Sequence, residues 1–228
     1  MRLPSKTSTG SKDRVRHKIN DAYNLLYKVY GRRRWWPADT PFEVMVGAVL
    51  TQNTNWINVE KAIINLKKEK VLNPSALRSL NLKRLAMLIR PCGYYNIKAK
   101  RLKNLNNYLF LEYCGRVADM RRRPLAALRG ELLNVKGVGP ETADSIILYA
   151  IKKPAFVVDA YTRRIMGCLG IVARDSGYDE IQSAFIKNLP RSVKLFNEYH
   201  ALLVEHGKKI CKSRPICQRC ILRTLKHG

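Results

Sequence analysis

Residues 131–159 read Glu131-Leu132-Leu133-Asn134-Val135-Lys136-Gly137-Val138-Gly139-Pro140-Glu141-Thr142-Ala143-Asp144-Ser145-Ile146-Ile147-Leu148-Tyr149-Ala150-Ile151-Lys152-Lys153-Pro154-Ala155-Phe156-Val157-Val158-Asp159. Leu132 and Leu133 close one helical pattern. Gly137-Val138-Gly139 breaks it, because two glycines two apart let the backbone turn with φ > 0 and bare its N–H groups. Pro140 then opens a second helix at the first helical position, where a missing N–H costs nothing. In that helix Ala143, Ile146, Ile147 and Ala150 fall at i, i+3, i+4 and i+7, the spacing of one buried face. The segment predicts helix, tight hairpin, helix, with amides at a helix N-terminus that suit one phosphate. Asp159 follows the apolar run Ala155–Val158 as a lone carboxylate.

Working outward, the helical spacing continues in both directions. Ile19, Ala22, Leu25, Leu26 and Val29 mark an amphipathic helix over 13–30, and Gly31-Arg32-Arg33-Arg34 ends it. Trp35-Trp36-Pro37 follows, then an almost wholly apolar run from Phe42 to Leu50 that predicts a buried helix. Further helices are expected at Val59–Leu66, after Asn73-Pro74-Ser75, at Leu82–Ile89 and at Ala99–Leu111, and another enters the hairpin after Pro124. Beyond Asp159 the pattern predicts helices at Tyr161–Leu169, Tyr178–Asn188 and Val193–Gly207. No convincing pair of β-strands is present, so the fold class is all-α.

Composition bounds the partner. Against 17 Asp and Glu stand 43 Lys and Arg, a net charge of +26 over 228 residues. Such a surface attracts a polyanion, with nucleic acid the first expectation and an anionic membrane the second. No run of 18 apolar residues exists to span a bilayer. Residues 1–12 carry no apolar signal core and read as a disordered basic tail, so a bacterial or archaeal cytoplasm is expected. Six cysteines without such a signal point to thiols or a metal site rather than disulfides.

The stretch from Leu133 to Asp159 resembles the helix-hairpin-helix DNA glycosylases, in which a Leu-Pro-Gly-Val-Gly-type hairpin precedes a Val-Asp aspartate. Here Val135-Lys136 stands where that family has Leu-Pro. Trp35-Trp36-Pro37, Phe42-Glu43, the run Gly47 to Thr54 and the run Arg90 to Leu102 narrow the resemblance to the bacterial 3-methyladenine DNA glycosylases. It spans roughly residues 35–210. It implies a two-lobed all-α fold with the active site in the interlobe cleft. One lobe is residues 37–152, ending in the hairpin motif at about 127–150. The other joins 13–36 to 153–228 and carries a C-terminal Cys loop. The implied partner is damaged double-stranded DNA, bound by a monomer and away from any membrane.

The resemblance also assigns roles. Asp159 is the catalytic carboxylate: cleaving an N-glycosidic bond builds positive charge on the sugar, which a carboxylate stabilises while it orients or deprotonates water. Glu141 stands where lyase members carry a nucleophilic lysine, and a carboxylate cannot form a Schiff base. Trp36 and Trp56 are placed against the flipped base, with Trp35 a third indole, and Lys208 lines the pocket. An N3-alkylated adenine is cationic, and each electron-rich ring face favours a cation by about 0.5–2 kcal/mol. Gln52 matches the residue that fills the duplex where the base was. Gly137, Val138, Gly139 and Thr142 meet phosphate at the hairpin. Arg32, Arg33, Arg34, Arg121, Arg122, Arg123, Arg163 and Arg164 are further candidates for phosphate. Cys211, Cys217 and Cys220, spaced C-x5-C-x2-C, resemble the family's [4Fe–4S] loop. The first gap is one residue short and no fourth Cys follows, which leaves His227, an outside ligand, zinc or no metal as alternatives.

The expected function is a monofunctional DNA glycosylase of base excision repair acting on alkylated purines, 3-methyladenine first. Removal of uracil or thymine from mismatches, a bifunctional glycosylase with lyase activity, and a lesion-scanning DNA-binding protein stay open beside it. Each residue also admits a simpler role: Asp159 as a helix cap, Glu141 as a first-turn acid, Gln52 as a polar helix end, the indoles as core.

Overall fold

The computed structural model describes residues 9–33, 35–212 and 214–226. Arg34 and His227 lie outside them, as does most of the expected basic tail. All regular structure among the described residues is helical. The chain divides into two compact units, Trp36–Ala155 and Met1–Trp35 with Phe156–Gly228.

In the unit Trp36–Ala155, α2 (Pro41–Leu50) is capped by the Thr40 hydroxyl, which accepts from the Glu43 N–H at 3.1 Å, and Pro41 takes the first turn. Every residue from Phe42 to Leu50 is buried, Glu43 included. Glu43 is satisfied by the Lys67 ammonium at 2.8 Å and by the Asp39 N–H at 3.1 Å. Asparagine carbonyls cap the next three helices in the same way: Asn55 for α3 (Trp56–Lys68), Asn73 for α4 (Pro74–Ser79) and Asn81 for α5 (Leu82–Leu88).

A 3-10 turn at Arg90–Cys92 then leads to α6 (Tyr95–Tyr113). On α6 the Lys98 side chain is fully buried, and its Nζ donates to Leu50 O at 2.9 Å and Cys92 O at 2.8 Å. Those carbonyls end α2 and the 3-10 turn, so one ammonium satisfies acceptors that two helix termini leave open. Burial lowers the pKa of that ammonium. Next come α7 (Leu125–Asn134) and α8 (Pro140–Ser145), which runs on as one π-helical turn, Ile146–Ala150. All residues from Thr142 to Ile151 are buried, so the four-residue stripe read from the sequence is a helix covered on every side. Its buried charge, Asp144, is held from α7 by Arg129 at 2.9 and 3.2 Å.

In the other unit, α1 (Thr9–Tyr30) begins four residues before Asp13, where the amphipathic pattern starts. It packs on α10 (Tyr178–Asn188) and α11 (Val193–Lys209), and α11 packs on α9 (Ala160–Cys168). Phe156, Phe185, Phe196 and Tyr199 form the aromatic centre, and the Tyr199 hydroxyl donates to Ile19 O at 2.8 Å. The close contact of α9 with α11 depends on Gly207: a Cβ there would lie 2.3 Å from Cδ1 of Tyr161.

Candidate functional site

The hairpin is built on one strained glycine. Gly137 has φ +98°, and a Cβ on it would fall 2.3 Å from Cγ of Arg101. Gly139 differs from the expectation that both glycines turn left-handed: at φ −95° and ψ 178° it is an extended helix cap that any residue could adopt. What a side chain at Gly139 would meet is open space, with nothing within 4 Å. Val138 is buried and anchors the hairpin from within.

Gln52 is tied to this hairpin. Its amide donates to Gly137 O at 3.1 Å and to the buried Thr142 hydroxyl at 2.9 Å, and its carbonyl accepts from Arg101 at 2.5 Å. In this arrangement Gln52 and Thr142 brace the turn, and filling a duplex would first require those bonds to open. Arg101 is a part of the assembly that the sequence reading missed.

The indoles divide between the units. Trp36 meets Trp56 edge-on, with ring centres 5.3 Å apart at 87°. It also meets Tyr149 at 5.3 Å and 49°. Gly47 makes room on α2, since a Cβ there would come within 3.0 Å of the Trp36 ring. The Trp56 N–H donates to Glu60 at 2.7 Å, which fixes that ring. Tyr149 sits in the π-helical turn, a local irregularity that recurs at functional sites. Nothing in its apolar sequence neighbourhood singled it out. Trp35 belongs to the other unit, where the Lys208 ammonium lies 5.8 Å from its ring centre. Glu141 is exposed in the first turn of α8.

Asp159 caps α9: its Oδ1 accepts from the Thr162 N–H at 2.7 Å. The bond leaves Oδ2 for other work, and the side chain keeps 14% of its surface accessible. Oδ2 lies 3.8 Å from Nε2 of the buried His200 on α11. Burial lowers the pKa of that imidazole, with Asp159 opposing. Just upstream, the Val158 N–H donates to the Tyr178 hydroxyl at 3.3 Å.

A zinc ion requires donor atoms that converge on one point, whereas a [4Fe–4S] cluster takes one thiolate at each iron corner. Cys211 is buried and burial pushes its thiol up to about 11, Cys217 is exposed, and Cys220 Sγ lies 3.4 Å from Nε2 of His206. The far nitrogen of His206 meets the Tyr30 hydroxyl at 3.0 Å. Among the described residues no three His, Cys, Asp or Glu side chains converge on a metal position. Lys226 closes the last 3-10 turn, Ile221–Lys226. Cys168, Cys220 and Cys217 act electrostatically on the Cys211 thiol and raise it further, so these thiols share one neighbourhood.

The unit Trp36–Ala155 carries a helix-hairpin-helix turned at Gly137, and in the other unit Asp159 caps α9. The family model described as HhH-GPD superfamily base excision DNA repair protein matches residues 46–191. This chain belongs to that superfamily. A Methanocaldococcus jannaschii protein named as a DNA repair glycosylase is 47% identical over 207 residues, covering 90% of this chain and 94% of its own. The H. pylori 3-methyladenine DNA glycosylase, solved with 1,N6-ethenoadenine, superposes with a TM-score of 0.74 at 29% identity, covering 86% of this chain and 97% of that one. A non-covalent endonuclease III–DNA complex gives 0.79 at 26% identity, covering 92% and 94%.

The protein is thus a DNA glycosylase of base excision repair with an all-α fold, and its partner is damaged double-stranded DNA. Among the described residues no helix is long and apolar enough to cross a membrane. Several arginines expected at phosphate are engaged within the glycosylase itself. Arg33 pairs with Glu205 at 3.0 Å, Arg123 binds Glu131, Arg163 donates to Ser176 O, and Arg164 donates to Cys211 O at 2.5 Å. Arg122 lies 3.8 Å from Asp119.

Proposed function

We propose that the glycosylase releases alkylated purines, 3-methyladenine first, by hydrolysis without a covalent lysine intermediate. The observation that carries the reading is the aromatic group Trp36–Trp56–Tyr149. Its electron-rich faces favour a cationic base, and each is worth about 0.5–2 kcal/mol more than it offers a neutral one. The similarity to a glycosylase named for 3-methyladenine supports the same substrate class. A cationic base is already a good leaving group, so recognition carries more of the task than acid catalysis does.

Two carboxylates serve the reaction in this reading. Asp159 stabilises the positive charge that develops on the sugar and orients water through Oδ2. Glu141, where lyase members carry lysine, faces the base or the attacking water. The exposed hairpin glycine, Gly139, lets a phosphate approach the backbone.

The test is base release from methylated duplex DNA by the wild type and by Asp159→Asn. Free 3-methyladenine, a strand left intact until alkali is added, and loss of about 10²-fold or more in the variant are expected. The similarity to endonuclease III favours a second reading, a lyase that uses one of the chain's many lysines. Borohydride trapping separates the two: a covalent protein–DNA adduct would sink the hydrolytic reading.

A further inference from the structure

We propose that His200 is a positioning residue for Asp159, holding the second carboxylate oxygen toward the reacting sugar. The proposal rests on Asp159 being the working carboxylate.

The first oxygen is already fixed, since Oδ1 accepts from the Thr162 N–H at 2.7 Å. One such bond still leaves the carboxylate free to swing about it. Oδ2 therefore needs a steering group, and His200 Nε2 faces it at 3.8 Å. That separation exceeds a hydrogen bond. Catalytic contacts are commonly long before substrate binds and tighten in the complex, so a closing of less than about 1 Å would make this one a bond. His200 comes from α11, 41 positions beyond Asp159, and its ring is enclosed by the core of its unit. A buried ring has few rotamers to choose from, which suits a steering role.

The charge state also fits. A cationic imidazole would neutralise Asp159 and weaken its hold on a cationic sugar. Burial favours the neutral ring, so His200 brings no opposing charge to Asp159 while an N–H can still aim Oδ2. Neither task is served by a merely space-filling residue.

The experiment compares His200→Leu and His200→Gln with the wild type under single-turnover conditions on duplex DNA carrying 3-methyladenine. Leu keeps the bulk without a donor, and Gln restores an N–H close to Nε2. The expected result is release slowed about 10²-fold in the Leu variant, as for a small misplacement of a reacting group. Its DNA affinity stays within about twofold, and the Gln variant recovers most of the rate. A Leu variant as fast as the wild type would overturn the proposal while leaving the glycosylase reading intact. So would parallel losses in both variants that track a lowered melting temperature. If the wild type itself releases no base, the substrate reading has failed and nitrogen NMR of the folded wild-type protein decides His200 alone. The imidazole signals of His200 should shift in Asp159→Asn while those of His17 stay put, and unchanged signals would refute the contact.

Discussion

Gly137 meets two demands that no side chain can satisfy together. Its φ of +98° strains any residue with a Cβ, and that Cβ would collide with the Arg101 stem at 2.3 Å. Moving Arg101 would also break its bond to Gln52 and loosen the whole turn. Gly137→Ala should therefore destabilise the protein by about 2–3 kcal/mol in urea denaturation. Gly139→Ala is the informative contrast. Its backbone is extended and the space around it is open, so stability should change by less than about 0.5 kcal/mol. If that open face receives a phosphate, duplex affinity should nevertheless fall. Unchanged affinity in a folded Gly139→Ala protein would remove the hairpin from the DNA contact. The glycine pair was legible in the sequence as a helix break, but not the division of labour within it. That division depends on Arg101, 36 positions upstream, which no local pattern connects to the turn.

The two helices of the hairpin are joined by charge as well as by the turn. Asp144 is fully buried on α8 and paired with Arg129 of α7. Removing only the arginine leaves a buried carboxylate short of its cation, which typically costs about 3–5 kcal/mol. Arg129→Met should fall near that range in urea denaturation, and adding Asp144→Leu should recover much of the loss. On the other side of α7, Glu131 accepts from the Tyr113 and Tyr108 hydroxyls of α6 at 2.5 and 2.9 Å and from Arg123 at 2.8 Å. Burial pushes its pKa up, but these bonds outweigh burial and hold it below the ordinary 4.5. A carboxyl depressed in the folded state adds stability above its unfolded pKa and loses it as pH falls through the folded value. The wild type should therefore melt above Glu131→Gln at neutral pH, with the gap narrowing below about pH 4.5. A gap that is constant with pH would mean the network acts through packing alone.

Helix limits set by neighbours in sequence were the readable part. Thr40 with Pro41, and Asn73 with Pro74, mark their starts within three residues, and Phe42–Leu50 and Tyr178–Asn188 carry their own periodicity. Lys98 and His200 were not readable in this way. A lysine in the core or a histidine beside a carboxylate is defined by partners dozens of residues away, and its sequence surroundings resemble an ordinary amphipathic helix. The C-terminal Cys loop is the opposite case: its spacing is local and suggestive, while the neighbourhood its sulfurs share with Cys168 is a property of the folded chain.

Across the entire molecule the residues assigned to the reaction are split. Trp36, Trp56, Tyr149, Glu141 and the hairpin belong to Trp36–Ala155, whereas Asp159, His200, Trp35 and Lys208 belong to the unit that joins the two chain ends. Only the family resemblance pointed to that joining, since periodicity says nothing of which helices share a core. The property the units share is charge, a surplus of +26. A protein with so few acids cannot neutralise its cations internally, even with Arg33, Arg123 and Arg129 paired. The remainder should bind undamaged duplex mainly by displacing counterions. Affinity should then fall about 10³-fold or more between 50 and 200 mM salt, the loss expected of roughly six phosphate contacts. Asp159→Asn should keep the same slope, because its carboxylate addresses the sugar rather than the phosphates. Fluorescence anisotropy on a short duplex across that salt range measures both. A shallow slope would mean that the positive surface faces away from the DNA and that the aromatic group and hairpin supply the affinity instead.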